Sequence, residues 1–242
     1  MGTRERRQRE VAEREQRFLD AARELIQQDG LLNLQMSRIA EKCDYAVGTL
    51  YQHFVSKEDL LVALASEEAQ ERVDMFVRVH RWAASTRDRM LGFAVADMMY
   101  VRHRPEHFRL LQFAFTEVVW GAAPASRRQS CVEAHAPLRQ ATLDVIDEAI
   151  AAGDLDPRGL PAAEICLAPW ALALGLHQIV HTESLVEQHK FADPYRLMLR
   201  HTSDLLNGLG WKPLTDSTDA AALDALTKGL CSEVLHDKHC QA

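Results

Sequence analysis

Residues 162–181 read AAEICLAPWALALGLHQIVH, a stretch that is apolar around nearly the whole circumference of a helix. Such a helix has to be covered on more than one side. The chain's own domain can cover one face, and a second copy of the chain is the simplest cover for the other. Segment 193–208 is more amphipathic and can join it. Two helices from each of two chains would then form an intermolecular four-helix bundle, so a homodimer through 161–183 and 193–208 is expected.

The rest of the chain follows the same period. Alternating strand patterns are absent, while apolar residues recur three and four apart. Phe18, Ala22, Leu25 and Ile26 mark a first helix that Gly30 stops. A short connection follows at 31–35. Met36, Ile39, Ala40 and Cys43 give the second helix, 36–43, its buried face. Residues 44–46 are a turn and 47–53 a third short helix. Ser56 and Asp59 form a capping-box pattern that opens a long fourth helix reaching about residue 80. Further helices are expected at 87–103, 105–120, 126–152, 161–183 and 193–208. Pro169 should kink or divide its segment. Residues 211–217 read as a linker and about 219–236 as a last helix. The expected fold class is all-α, with an amino-terminal three-helix helix-turn-helix domain and a larger helical domain for dimerisation, to which a family resemblance adds ligand binding. The divisions are 1–10, a basic disordered or frayed arm; 11–56, helix-turn-helix; 57–210, the larger domain; 211–242, linker and carboxy-terminal helix.

Composition sets limits on the partners. The 242 residues are 47% apolar, which excludes global disorder. Twenty-eight Lys and Arg against 35 Asp and Glu give −7, so the surface is not coated with phosphate-binding charge. A local DNA-binding face stays open, because recognition depends on where the charges sit. The one electrostatic asymmetry is at residues 1–9, where Arg4, Arg6, Arg7 and Arg9 face a single acid, Glu5. Cys43, Cys131, Cys166, Cys231 and Cys240 are odd in number and form no CxxC pair, and read as mostly reduced thiols. With no apolar signal-peptide core and no run of about 18 apolar residues, a cytoplasmic protein is expected, with no membrane partner.

The helix-turn-helix reading puts chemistry on the third helix. One helix braces across the DNA backbone while the next enters the major groove. Here 36–43 would brace and 47–53 would read. Ile39, Ala40, Leu50 and Phe54 would pack on Phe18, Ala22 and Ile26, turning the other side chains outward. Gly48 lets a strand or base edge come close. Thr49 offers a hydroxyl to phosphate and a methyl to thymine. Tyr51 and His53 can donate to phosphate oxygens, and Lys57 adds charge beside helix amides aimed at an anion. Tyr45, Ala46 and Val47 lie at the leading end, where base contacts are usual.

Residues 39–61, IAEKCDYAVGTLYQHFVSKEDLL, resemble the DNA-binding domain of the TetR family of transcriptional regulators. The matching run is Ile-Ala, then Gly-Thr-Leu-Tyr-x-His-Phe, then Ser-Lys-x-x-Leu, and the resemblance extends over about 11–65. It implies a two-domain, all-helical homodimer that binds an operator at one end and a small molecule at the other. It implies DNA contacts at Thr49, Tyr51, His53 and Lys57, and base approach at Tyr45, Val47 and Gly48. Three positions depart from the family pattern. Asp44 stands where a turn glycine is usual, Ala46 where a serine often opens the third helix, and Gln35 where a threonine commonly opens the second.

The larger domain is rich in aromatics and methionines. The resemblance implies a cavity there, and Phe93, Asp97, Tyr100, Phe113, Glu117, Trp120, Trp170 and His177 are the candidate pocket residues. Asp97 and Glu117 sit in apolar segments and read either as solvent-facing acids or as counter-charges for a cationic ligand. His177 and His181, like His103 and His107, have HxxxH spacing, and His236, His239 and Cys240 cluster at the tail. None supplies a full ligand set, so neither metal nor cofactor is assigned. A glycine-rich phosphate loop, GxSxG and HExxH are all missing, which argues against an enzyme. The expected function is a ligand-responsive repressor on a palindromic operator. The alternative is a helical small-molecule-binding or partner protein of the same fold that has weakened or lost DNA binding.

Overall fold

The computed structural model describes residues 3–182 and 184–236. Among them there is no strand. The helices are α1 (Thr3–Asp29), α2 (Met36–Lys42), α3 (Val47–Tyr51), α4 (Lys57–Glu67), α5 (Ala69–His80), α6 (Thr86–His103), α7 (Pro105–Ala114), α8 (Glu117–Ala122), α9 (Ala125–Ala152), α10 (Ala162–Val180), α11 (Leu185–His189), α12 (Pro194–Gly208) and α13 (Ala220–Leu230). A short 3-10 turn, Leu31–Asn33, follows α1, and a π turn, Cys231–Leu235, follows α13. His239 and Cys240 of the tail cluster lie outside the described residues.

The chain divides into two compact units. The first takes residues up to Ala69 and Glu106–Ala134, the second Gln70–Pro105 and the residues from His135 onward. In the first unit α4 is buried all round from Leu60 to Ala65 and packs on α1 and α8. Arg127 of α9 supplies a brace there. Its Nε donates to Asp59 Oδ1 at 2.7 Å, its Nη2 to Glu15 at 3.1 Å, and its guanidinium lies 5.3 Å from the Phe54 ring centroid.

In the second unit α6 is buried along most of its length and packs on α10, α12 and α13. The expected linker at 211–217 is instead pinned to it. Buried Arg87 donates to the Trp211 carbonyl at 2.9 Å, the Ser203 carbonyl at 3.0 Å and the Thr215 hydroxyl at 2.8 Å. The fully buried Trp211 indole donates to Thr86 at 3.1 Å. A buried guanidinium needs several acceptors, and this segment supplies them.

Several sequence expectations change. The arm at 1–10 is helical from Thr3 and continues α1. The long fourth helix breaks at Glu68. There the Glu68 carboxylate accepts from Arg23 Nε at 2.7 Å and lies 2.7 Å from His107 Nδ1, while Arg23 also binds Glu67. Segment 105–120 divides into α7 and α8, where the Thr116 hydroxyl donates to the Phe113 carbonyl at 2.7 Å and competes with the helix. Pro169 does not divide α10. Cys43, Cys131 and Cys166 are free, in keeping with mostly reduced thiols, while Cys231 is disulfide-bonded.

The statement that no run is apolar enough to cross a bilayer is also corrected. Ala162–Val180, all of α10, has the length and composition to do so, with only 17% of that window buried within the chain. The sequence reading counted unbroken apolar residues and so let Glu164, Pro169 and His177 interrupt the run.

Candidate nucleic-acid interface

The turn between α2 and α3 closes by local chemistry. Asp44 takes the left-handed conformation at φ 58°. The Asp44 amide donates to the Glu41 carbonyl at 3.0 Å and the Tyr45 amide to Ala40 at 2.9 Å. Those two bonds satisfy the orphan carbonyls at the end of α2 in the pattern that usually uses glycine. Aspartate is among the few side chains that visit this region readily. The two reading elements begin without side-chain caps, at Gln35 for α2 and Ala46 for α3.

Leu50 and Phe54 are fully buried, as are Phe18, Ala22 and Ile39. That fixes the rotation of α3. Ala46, Val47, Gly48 and Tyr51 are exposed, with Thr49 half-buried beside them. A Cβ built on Gly48 would meet nothing within 4 Å, so the glycine serves no internal contact. Gln35 is exposed at the start of α2.

The flanking rings are held from behind. Phe18 meets Tyr45 edge-on at 5.4 Å and His53 edge-on at 5.5 Å, and Arg14 lies 5.4 Å over the Tyr45 ring. Burial pushes the His53 imidazole below its usual pKa. At neutral pH it would therefore meet a phosphate as a neutral donor. Lys57 Nζ reaches the Leu32 carbonyl at 3.3 Å. The start of α4 is set by the reciprocal pair read from the sequence. Ser56 Oγ accepts from the Asp59 amide at 3.2 Å, and Asp59 Oδ2 accepts from the Val55 amide at 2.9 Å. The structure thus gathers all nine sequence-identified residues at α2, α3 and the start of α4. The sequence reading missed Arg127, which fixes Asp59 and Phe54 beneath that surface. Distant in sequence and in an unremarkable helix, it carried no local signal.

The eight candidate pocket residues separate. Phe113, Glu117 and Trp120 belong to the first unit, and the other five to the second. Glu117 is exposed and Trp170 is 59% exposed, whereas Phe93, Tyr100 and His177 are buried. Phe93 stacks on Phe76 at 5.1 Å. Asp97 is buried and already paired, with Arg72 Nε at 2.7 Å and His177 Nε2 at 3.2 Å. Burial alone would raise its pKa, but the Arg72 charge and the His177 hydrogen bond outweigh that and hold it well below the usual carboxylate range. Asp97 therefore does not face solvent, and Arg72 already balances its charge. Nearby, burial pushes the Tyr195 phenol up to about 12. No group of three or more metal-ligating side chains occurs among the described residues.

A family model described as bacterial regulatory proteins, tetR family, matches residues 18–64. The HTH-type transcriptional repressor KstR of Mycolicibacterium smegmatis is 38% identical over 86 residues, 36% of this chain and 42% of that protein. The chain matches less than half the length of such curated relatives. A tetR-family regulatory protein from Rhodococcus RHA1 aligns with TM-score 0.60 and 18% identity, over 81% of this chain and 97% of its own. FadR of Bacillus subtilis, solved with stearoyl-CoA, aligns with TM-score 0.55 and 18% identity, over 80% and 96%. At these identities the two structures speak for the fold.

Proposed function

We propose that the chain is a member of the TetR family of bacterial regulatory proteins, whose family model matches residues 18–64, and that it is a homodimeric, ligand-responsive transcriptional repressor. It acts in the cytoplasm on a palindromic operator that a small molecule releases. The observation that carries the reading is the rotation of α3. Leu50 and Phe54 face inward, and Val47, Gly48 and Tyr51 face out beside a glycine with open space before it. Gln35, Tyr45, Ala46, Val47 and Gly48 would meet the groove, while Thr49, Tyr51, His53 and Lys57 would meet phosphates.

Dimerisation is assigned to α10 with α12. Leu167, Trp170 and Leu174 form an exposed apolar stripe at spacings of three and four, flanked by the buried Ala173 and His177. A second copy would cover that stripe and set two reading helices about 34–36 Å apart or wider. The effector would bind in the second unit near Phe93, Asp97, Tyr100 and His177. A ligand that favours a wrongly spaced pair of reading helices must weaken DNA binding, with a typical coupling of about 1–3 kcal/mol.

Gly48→Ala separates folding from function. Its methyl enters open space and should stabilise α3 by roughly 0.5–1 kcal/mol. It should also weaken binding to a duplex from the protein's own upstream region by about tenfold. Gel-shift titration and thermal denaturation read the two effects. Unchanged affinity with raised stability would refute the proposed reading face.

A further inference from the structure

We propose that the reading face selects A·T pairs, with Val47 against the thymine methyl group and Gln35 against an adenine edge. This rests on the regulator reading and adds to it the base identity that the interface is built to recognise.

Gly48 stands two positions before the fully buried Leu50, which puts it on the far side of α3 from the core. Open space lies before it, so base edges can come close to the helix backbone there. At so close an approach the short side chains beside the glycine are the ones that reach a base. Val47 is 43% exposed and Ala46 is exposed as well. Both are wholly apolar, and the one apolar group that a base pair presents in the major groove is the C5-methyl of thymine. Valine is also a poor choice for a solvated site on a helix of five residues. Its branched side chain lowers helix propensity and leaves apolar surface in water. A thymine methyl would cover that surface.

The polar groups point the same way. Guanine offers two acceptors in the major groove, N7 and O6, and is read most often by Arg or Lys. Residues 46–52, AVGTLYQ, hold neither. The cations of the neighbouring elements are engaged elsewhere. Arg38 Nη1 lies 2.7 Å from Asp29, Lys42 Nζ lies 2.8 Å from Glu24, and Lys57 Nζ reaches the Leu32 carbonyl at 3.3 Å. Arg14 stands over the Tyr45 ring. Gln35 differs from all of these. It is exposed, and its side chain makes no capping bond at the start of α2. Its amide carries both a donor and an acceptor, the complement of adenine N7 and N6.

The test is DNA binding by the full chain, measured by fluorescence anisotropy on a duplex from the upstream region, with a random duplex of equal length as reference. Uracil in place of every thymine removes the methyl groups and keeps the pairing. It should weaken wild-type binding about fourfold for each methyl buried, equivalent to about 0.8 kcal/mol. One such contact in each half-site gives about fifteenfold. Val47→Ala should bind the thymine duplex more weakly and respond to uracil by less than about twofold. Replacing adenine by its 7-deaza analogue, which lacks the N7 acceptor, should weaken the wild type and leave Gln35→Ala unaffected. The 7-deaza analogue of guanine should change neither protein. Thermal melting checks that each variant is folded. Wild-type affinity that ignores uracil would overturn the inference and leave the regulator reading intact. An equal response of wild type and Val47→Ala would trace the uracil effect to duplex shape and overturn the inference too. A loss on the guanine analogue would show that guanine is read instead. If the wild type holds the upstream duplex no more tightly than the random one, the regulator reading fails and the A·T preference with it.

Discussion

In α3 the side left uncovered by the chain carries Val47, Gly48 and Tyr51, spread over a helix of five residues. In α10 it carries Leu167, Trp170 and Leu174, on a helix of nineteen. The first surface is small and mixed, offering a gap, an isopropyl group and a phenol, with the half-buried Thr49 hydroxyl beside them, which suits a partner that is hydrogen-bonded and charged. The second is apolar and long, which suits a partner that removes it from water. The same fold thus leaves two incomplete faces whose chemistry calls for different partners.

The largest effect is expected at the apolar face. Trp170→Glu places a charge at the centre of the stripe. If a second copy covers it, a hot-spot loss of 2 kcal/mol or more should weaken the dimer at least about thirtyfold. Light scattering coupled to gel filtration would report monomers at micromolar concentration. A variant that stays dimeric would break the contrast between the faces. Flotation of the wild type with lipid vesicles would assign the α10 stripe to a bilayer instead.

The inward side of α10 sharpens the comparison. His177 is fully buried and ties α10 to Asp97 of α6, which Arg72 of α5 also binds. Asp97→Asn removes the charge that pairs with the half-buried Arg72 guanidinium, at a cost of about 3 kcal/mol in urea unfolding. The pH dependence has a definite sign. Because the folded-state pKa of Asp97 is depressed, its contribution is present above the ordinary carboxylate pKa near 3.9 and fades as pH falls below it. The gap between wild type and Asp97→Asn should therefore narrow below about pH 4. A gap that is constant across that range would show that Asp97 does not titrate as a paired carboxylate.

What the sequence disclosed was local. The period of α2 and α3, the left-handed turn at Asp44 and the Ser56–Asp59 pair all depend on residues within five positions of one another, and all can be read from spacing. The breaks were not legible in the same way. Glu68 is held by Arg23 and His107, two partners on other helices, and nothing in ASEEAQ announces them. Trp211 looked like part of a linker because its partner, Arg87, is 124 positions away. The amino-terminal arginines read as frayed because they gather like charge at a solvated chain terminus, yet α1 continues through them. In the candidate site the reading face was visible from its residues, whereas its support from Arg127 was not.

The smallest effect tests the polar face at its turn. Asp44 performs the conformational task of a glycine but sets a negative charge beside the surface proposed to meet phosphate. Asp44→Gly removes the left-handed penalty, less than about 1 kcal/mol for a residue that tolerates the region, and removes the charge as well. Asp44→Asn removes the charge while keeping a side chain suited to that conformation. Glycine should therefore raise both the melting temperature and DNA affinity, and asparagine affinity alone, each by a few-fold at low salt and less at high salt. Affinity that ignores both substitutions would place the turn away from phosphate. The polar face of α3 would then have to meet something other than a duplex.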